Sequence, residues 1–220
     1  MLAVIGGGFF GTYHATQLLK AVRAGRLPGR RVVIVDRDPA CLAARSLGAA
    51  EEVGLHTADW LAFLRDWLPR ADPADHVIPA PLAPHLLWQW LAGELDATPA
   101  DAPRGWGLPY EEPGPAGELY LSAAAWTCPA TCVEPAHCPA LHAPRDWDLA
   151  EIIEERARAL ALVPAVFRCR HLANGVGSVG AADLQAAARA GRATPGVGIL
   201  VATSSRCHAA VGVLRPGRSG

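Results

Sequence analysis

The first half of the chain alternates short apolar runs with segments whose apolar residues recur at helical spacing. The apolar runs predict strands over residues 2–5, 31–36, 49–54 and 75–80. The segments between and after them predict helices over residues 11–24, 39–48, 57–68 and 84–95. Strands that alternate with helices favour a parallel sheet with helices packed on it. We therefore predict an α/β fold with a Rossmann-like, doubly wound, mostly parallel sheet and helices on both faces.

The second half begins after a segment rich in proline and glycine, residues 96–117, which predicts a linker loop. Beyond it, the pattern predicts strands over residues 118–125, 163–168, 196–203 and 209–216, and helices over residues 146–160 and 181–191. The predicted organisation is a dinucleotide-binding half over 1–95, the linker over 96–117, and a C-terminal α/β half over 118–220. That last half carries a loop rich in cysteine.

A glycine turn joins the first predicted strand to the first predicted helix. Gly6, Gly8 and Gly11 have the spacing G-x-G-x-x-G, and a second strand that ends on Asp36 follows the helix. Gly6 permits a tight turn, Gly8 lets the backbone approach a pyrophosphate, and Gly11 lets the helix pack closely on the sheet. The start of the helix presents free N–H groups to the phosphates. This order of elements is typical of a dinucleotide-binding βαβ unit.

Residues 1–95 resemble the NAD(P)-binding Rossmann superfamily through the segments VIGGGFFG and VVIVDRDP. The end of the second segment, VDRDP, is also similar to the nucleotide-binding domains of potassium-transport regulators. The resemblance implies a bound dinucleotide near residues Gly6, Gly8, Phe9, Phe10, Gly11, Asp36 and Arg37. Asp36 would accept hydrogen bonds from a ribose hydroxyl and repel a 2′-phosphate, which favours NAD(H), whereas Arg37 would support NADP(H). The alternative is a similar fold whose site serves another ligand.

Charge and hydropathy exclude several classes of protein. The net charge is −1, and the sequence has no basic stripe with interleaved aromatic residues, which is the pattern typical of nucleic-acid binding. The sequence therefore predicts no nucleic-acid partner. No apolar run reaches the roughly 18 residues of a membrane helix, and the N-terminus lacks the charged start of a signal peptide. The sequence therefore predicts a cytoplasmic protein, in which the 6 cysteines stay reduced.

Three of those cysteines, Cys128, Cys132 and Cys138, lie close together in a proline-rich segment. Clustered thiols in a reducing compartment indicate a zinc ion or an iron–sulfur cluster, both of which usually need four ligands. Cys169 and Cys207 each follow a predicted strand, as Cys128 does, so we expect them at one edge of the sheet. The candidates for a fourth ligand are Cys169, His171, Cys207 and His208. The alternative is a compact loop whose thiols have no partner.

Two further features have mainly structural interpretations. Residues 175–180, GVGSVG, repeat the glycine spacing, but a flexible turn followed by a helix capped by Ser178 explains them better than an anion site. His85 follows the fourth predicted strand, where a general acid would stand, although a surface histidine is the simpler interpretation.

These features together predict an NAD(P)-dependent oxidoreductase with a thiolate metal or iron–sulfur site near the nucleotide. The alternative is a non-catalytic nucleotide-binding protein that senses redox or metal state through its thiols. The expected partners are the dinucleotide and, for an enzyme, an unidentified small-molecule substrate. Association of identical chains is left open. No motif in the sequence identifies the catalytic residues or the substrate.

Overall fold

The structure is a computed structural model that describes residues 1–79, 85–129 and 132–217. Ala80, the end of the predicted fourth strand, and Pro84, the start of the helix predicted over 84–95, lie outside the described residues. The chain divides into two compact units. Unit 1 comprises residues 1–86 and 170–186, and unit 2 comprises residues 87–169 and 187–220.

In its described residues, unit 1 contains a six-stranded sheet and three helices that lie wholly within it. Its strands are β1 (Leu2–Ile5), β2 (Val32–Asp36), β3 (Val53–Thr57), β4 (His76–Ile78), β11 (Arg170–Ala173) and β12 (Val176–Gly180). Its helices are α1 (Phe9–Arg23), α2 (Leu42–Leu47) and α3 (Trp60–Trp67), and a 3₁₀ turn spans Leu68–Arg70. The core includes Val4 and Ile34 on the strands and Leu18 on α1, all at most 1% exposed. Asp59 caps the start of helix α3, because its side chain accepts a hydrogen bond from the N–H of Ala62.

The strand order in unit 1 is β11-β12-β4-β1-β2-β3. The pairs β1–β2, β1–β4 and β2–β3 are parallel, whereas β12 pairs with β4, and β11 with β12, in antiparallel fashion. The predicted single, doubly wound and mostly parallel sheet is therefore wrong. The protein is α/β, but the strands of its described residues form two mixed sheets and a small two-stranded one.

The antiparallel edge of this sheet arises from a turn signal at residues 174–175. Asn174 and Gly175 both have positive φ, 51° and 77°, which is the backbone geometry that reverses a chain between two paired strands. Strands β11 and β12 are the arms of this hairpin. The glycine pattern at 175–180 thus lies in a turn and a strand. Ser178 does not cap a helix, because it lies within β12 and is 1% exposed.

Unit 2 is organised around the second mixed sheet. Its strands are β5 (Ala97–Ala100), β6 (Tyr110–Pro113), β7 (Leu119–Ser122), β8 (His137–Cys138), β9 (Ala143–Pro144), β10 (Val163–Arg168), β13 (Ile199–Ser204) and β14 (His208–Pro216). The sheet order is β10-β13-β14-β7-β6, with β5 also paired to β14, while β8 and β9 form a separate two-stranded sheet. Helix α5 (Leu149–Ala159) packs Leu149 and Ile153 against this sheet.

Two further helices complete the description. Helix α4 (Leu86–Glu94) and helix α6 (Ala181–Ala193) each contain a boundary between the units. The segment predicted as a linker loop, 96–117, instead contains strands β5 and β6. Its prolines conceal both strands from a periodicity analysis, because Pro99 and Pro113 interrupt the apolar pattern. None of the described helices is long and apolar enough to cross a membrane.

Candidate functional site

The glycine loop of unit 1 connects β1 to α1 by a turn that only glycine accommodates. Gly6 has φ +91°, and its N–H donates to the carbonyl of Val35 on β2. A Cβ at Gly11 would lie 1.7 Å from the carbonyl oxygen of Gly6, so the first turn of the helix contacts the loop directly. Two of the three roles expected from the spacing, the tight turn and the close packing, are therefore visible in the backbone.

Gly8 differs from its neighbours because it borders open space. A Cβ built on Gly8 has no atom of the described chain within 4 Å, and the residue is exposed at the start of α1. The first backbone hydrogen bond of the helix runs from the N–H of Thr12 to the carbonyl of Gly8, 2.9 Å. The N–H groups of the residues between them have no partner within the helix. We call these groups and the open side of Gly8 the N-terminal cradle, residues 8–11.

Gly7 is a residue that the G-x-G-x-x-G spacing does not single out. A Cβ there would meet the Sγ atom of Cys41 at 2.3 Å, and the carbonyl of Gly7 accepts a hydrogen bond from the N–H of Ala43. The start of α2 therefore packs against the glycine loop at Gly7. Cys41 belongs to the buried core of unit 1. In the sequence, the run of three glycines at residues 6–8 is the feature that could have identified Gly7 as part of the loop.

Asp36 stabilises the glycine loop by accepting backbone hydrogen bonds. Its Oδ2 atom accepts a hydrogen bond from the N–H of Gly7 at 2.6 Å, and its Oδ1 atom accepts one from the N–H of Asp38 at 2.9 Å. Each carboxylate oxygen has two lone pairs, so one acceptor position per oxygen remains. Asp36 thus has a structural role in the loop and can still accept from a hydroxyl.

Arg37 forms an ion pair within the protein rather than pointing to an open site. Its guanidinium forms an ion pair with Asp59, the residue that starts α3, and this contact holds the pKa of the Asp59 carboxyl below its ordinary value. Phe9 and Phe10 stand beside the cradle with 73% and 40% of their surface exposed. Their rings pack edge to face with centroids 5.5 Å apart. The cradle therefore has aromatic side chains on its rim.

The thiols of unit 2 gather at one edge of its sheet. Strands β10 and β13 are parallel, and β7 runs in the same direction because both β7 and β13 pair antiparallel to β14. The N–H of Cys169 donates to the carbonyl of Ser204 at the end of β13, and the N–H of Ala123, just after β7, donates to the carbonyl of Cys207. The strand ends thus converge as expected, although the sheet is mixed.

The cysteine loop, residues 126–147, is attached to the turn between β13 and β14 through Glu134. Its carboxylate accepts hydrogen bonds from the hydroxyl of Ser205 at 2.6 Å, the N–H of Arg206 at 2.9 Å and the N–H of Cys207 at 3.3 Å. We call this set of contacts the Glu134 bridge. It spans 71 to 73 residues of sequence, and nothing in the spacing of the cysteines predicts it.

Backbone N–H groups surround two of the sulfur atoms. The N–H of Glu134 donates to the Sγ atom of Cys132 at 3.4 Å. Burial acts to raise the pKa of the Cys138 thiol, but the N–H groups of Leu141 and Ala140 and the guanidinium of Arg145 lower it overall. The loop thus supplies donors that favour the thiolate form of Cys138.

The thiols also influence one another. Burial raises the pKa of Cys128, and the nearby Cys132 and Cys138 raise it further. Burial likewise raises the pKa of Cys207, to which Cys128 contributes. Cys169 differs, because burial and then Glu134 raise its pKa to about 12 without a contribution from any other thiol. Cys128 is thus influenced by Cys132 and Cys138, and Cys207 by Cys128, whereas Cys169 is influenced by no other thiol.

Among the described residues, no three histidine, cysteine, aspartate or glutamate side chains are arranged to hold a metal ion. Of the histidines proposed as a fourth ligand, His171 lies on β11 of unit 1, and His208 begins β14 in unit 2 with an exposed side chain. His85 precedes α4, and its Nδ1 atom is buried without a hydrogen-bond partner in the described chain. None of these three histidines has a contact that identifies it as a ligand or an acid.

Comparison with known proteins gives one family. Residues 83–216 match the family AF_1314_C, described as "Uncharacterized protein, C-terminal domain". No curated protein and no solved structure matches the chain. The matched region includes all of the cysteines except Cys41, and it does not include the glycine loop. Because it spans more than half of the 220 residues, the chain belongs to the AF_1314_C family.

Proposed function

We propose that this protein binds a dinucleotide, preferably NAD(H), at the N-terminal cradle of unit 1 and acts as an NAD(P)-dependent oxidoreductase. The observation that supports the proposal most is the open space at Gly8. An exposed glycine at the start of a 15-residue helix leaves backbone N–H groups accessible to an anion, and the helix dipole adds to their attraction. A pyrophosphate is the anion that this arrangement suits best.

The preference for NAD(H) follows from Asp36 and Arg37. Asp36 retains acceptor positions for the hydroxyls of a ribose, while its negative charge disfavours a 2′-phosphate. Arg37 is the residue that would attract that phosphate, but it would first have to leave its ion pair with Asp59. Both effects act in the same direction, and NAD(H) is the ligand that requires neither residue to change its partner.

The exposed rings of Phe9 and Phe10 would contact the ligand beside the pyrophosphate. Single exposed apolar side chains are common, but the rings of Phe9 and Phe10 pack together, and contiguous exposed apolar surface is typical of binding sites. When it is bound, the nicotinamide accepts or donates a hydride. The residues of this chain would hold the dinucleotide through backbone N–H groups, orient the ribose through Asp36, and shield one side of the ligand from water through the two phenylalanines.

Isothermal titration of the full chain with NADH, NAD⁺, NADPH and NADP⁺ tests the binding step. We expect NADH or NAD⁺ to bind, and Gly8→Val to abolish binding, because the branched side chain would occupy the space of the pyrophosphate. Ala24→Val is the matched control, since it adds bulk at an exposed position at the other end of the same helix. Absence of heat with all four ligands would contradict the proposal.

A second candidate, a non-catalytic sensor that binds the same dinucleotide, is favoured by the distribution of the sites. The glycine loop lies in unit 1, whereas Cys128, Cys132, Cys138 and Cys207 lie in unit 2, which has its own core. Oxidation of bound NADH in the presence of electron acceptors, followed by nicotinamide absorbance, separates the two candidates. Turnover supports the oxidoreductase, and tight binding without turnover with any acceptor supports the sensor.

A further inference from the structure

We propose that a cavity in unit 2 binds a small aliphatic zwitterion, a ligand that carries an ammonium and a carboxylate group on an apolar body. The cavity has a volume of about 540 Å³, which is within the range of small-molecule sites. It lies where strands β10 and β13 begin, whereas Cys169 and Cys207 lie beyond the ends of those strands. The residues that line the cavity belong to unit 2, so the inference is independent of the dinucleotide proposed for unit 1.

One wall of the cavity is the turn that joins α5 to β10. The N–H of Leu162 donates to the carbonyl of Ala157 at 2.9 Å. Ala161 has a positive φ of 54°, which is the left-handed conformation that ends a helix with this kind of hydrogen bond. The turn leaves Leu160 at the surface, with 42% of the residue exposed. Leu160 and Leu162 both line the cavity, so this wall is apolar and its backbone is held by hydrogen bonds.

A second wall is the turn that precedes β13, residues 194–197. The N–H of Val197 donates to the carbonyl of Thr194 at 3.3 Å, and Gly196 has φ +76°. Proline at the second position of a turn and a glycine with positive φ at the third are typical of a type II turn. Val197 lines the cavity and is 39% exposed, like Leu160 on the first wall. Exposed apolar side chains that line one cavity form the contiguous surface that is typical of a binding site.

Arg215 supplies a positive charge to this apolar cavity. Its Nη1 atom lies 4.0 Å from the position that a Cβ on Gly198 would take, and both residues line the cavity. The ion pairs among the described residues do not include Arg215. A guanidinium presents planar donors that match the two oxygens of a carboxylate. Arg215 is therefore the group that would bind the carboxylate of the ligand.

Asp101 supplies a negative charge to the same cavity. Its Oδ1 atom lies 2.8 Å from the position that a Cβ on Gly117 would take, so the carboxylate packs against the backbone of that glycine. Within the described part of the chain, Asp101 also takes part in no ion pair. A carboxylate accepts hydrogen bonds from an ammonium group. Because Asp101 and Arg215 do not pair with each other, both charges are available to a ligand of complementary charge.

The pairing of β5 with β14 determines the spacing of the two charged residues. The strands are antiparallel, and Thr98 on β5 stands opposite Arg215 on β14. Asp101 follows Thr98 by three residues, which separates it from Arg215 by about 10 Å along the strands. Val213, which also lines the cavity, lies between these two positions on β14. A ligand with an ammonium group, an aliphatic body and a carboxylate can therefore contact Asp101, the apolar walls and Arg215 at once.

Isothermal titration of the full chain with L-leucine and with the dipeptide leucyl-leucine tests the proposal. The two probes share the same chemistry and distinguish a free amino acid from a short peptide as its source. We expect at least one of them to bind. Isocaproate lacks the ammonium group of leucine, and isopentylamine lacks its carboxylate. Each should bind about tenfold more weakly than the zwitterion or less, because one charged group of the cavity loses its partner.

Two pairs of variants identify the site. Arg215→Gln and Asp101→Asn remove the charges of the cavity, and each should weaken binding of the zwitterion about tenfold or more. Arg189→Gln and Asp146→Asn are the matched controls, because both residues are exposed, belong to unit 2 and do not line the cavity. We expect the controls to bind as the wild type does. Circular dichroism confirms that each variant is folded, and the comparison of probes on the wild type carries the test if one is not.

Three outcomes would overturn the proposal. These are no binding of either zwitterion at millimolar concentration, equal binding of leucine and the two singly charged probes, and equal losses in Arg215→Gln and Arg189→Gln. Titration of the same preparations with NADH keeps the two proposals separate. A chain that binds NADH but neither zwitterion contradicts only the cavity ligand, and the reverse result contradicts only the dinucleotide site.

Discussion

The glycine loop and the cysteine loop acquire their shapes by different means. The glycine loop depends on its own backbone: a positive φ at Gly6, close packing at Gly11, and open space at Gly8. In the described part of the cysteine loop the regular elements are the two-residue strands β8 and β9, and a side chain, Glu134, joins the loop to residues more than 70 positions away. One site is made by nearby residues, and the other by the tertiary fold.

This difference explains why the two sites are recognised unequally in the sequence. A backbone cradle needs glycines, which have no side chain, at a fixed spacing. That spacing can be read directly from the amino-acid sequence. A site held by side chains from distant segments requires only that the segments meet in the folded protein, so it leaves no fixed spacing in the sequence. Four variants test how far the contrast extends, beginning with the largest expected effect.

The largest effect should come from Gly11→Ala in the glycine loop. The added Cβ would lie 1.7 Å from a backbone oxygen that cannot move without breaking the turn. We expect a loss of about 3 kcal/mol or more in the free energy of unfolding, measured by urea titration. Gly8→Ala is the control, because its Cβ enters open space, and it should cost less than about 1 kcal/mol. Equal stability of the two variants would refute this account of the loop.

In the cysteine loop, Glu134→Ala should remove three hydrogen bonds at once. Bonds to a charged group contribute about 1.5–3 kcal/mol each when buried, and these are partly exposed, so we expect a loss of about 2 kcal/mol. Trypsin should then cleave after Arg145 faster than in the wild type. Glu155→Ala, at an exposed position on α5, is the control. Unchanged cleavage would show that the Glu134 bridge does not hold the loop.

Asp36→Asn should affect ligand preference more than stability. The amide retains one acceptor for the N–H of Gly7 but loses the charge that repels a 2′-phosphate. We expect the ratio of NADPH to NADH affinity to rise about tenfold, which corresponds to about 1.4 kcal/mol. Asp38→Asn, an exposed neighbour, should leave the ratio unchanged. A constant ratio in Asp36→Asn would indicate that this carboxylate only supports the loop.

The smallest effect should come from Arg37→Ala. The side chains of Arg37 and Asp59 are 75% and 37% exposed, so their ion pair contributes less than about 1 kcal/mol to stability. Thermal unfolding should shift little, and NADH affinity should not change. A selective loss of NADPH affinity would instead show that Arg37 leaves Asp59 to bind the 2′-phosphate. Asp59→Asn would then raise NADPH affinity, since it frees the guanidinium.

Much of unit 1 could be predicted from the sequence. The bounds of β1 and β2 match the apolar runs closely, and α1 starts two residues before its predicted start. The order of the strands in the sheet could not be predicted from the periodicity, because the pattern shows that a strand exists but not which strand it pairs with. The Asn174–Gly175 dipeptide was a readable signal for an antiparallel hairpin, and the glycine spacing that follows it drew attention to a cradle instead.

In unit 2 the elements were easier to predict than their assembly. The strand β10 has its predicted bounds, and α5 lies within its predicted segment. Strands β5 and β6 were missed because prolines interrupt their pattern. The short turn between β13 and β14 leaves no room for a crossover, so β14 returns antiparallel, and the parallel sheet predicted for this region does not form.

By itself, the sequence determined what depends on nearby residues: the glycine turn after β1, the placement of Asp36 at the end of β2, and the presence of three clustered thiols. The tertiary structure decided what depends on distant residues. It paired Arg37 with Asp59, and it attached the cysteine loop through Glu134 to the turn that carries Cys207. The physical reason is that spacing along the chain fixes local backbone geometry, whereas contacts between remote segments depend on which strands pair and in which direction.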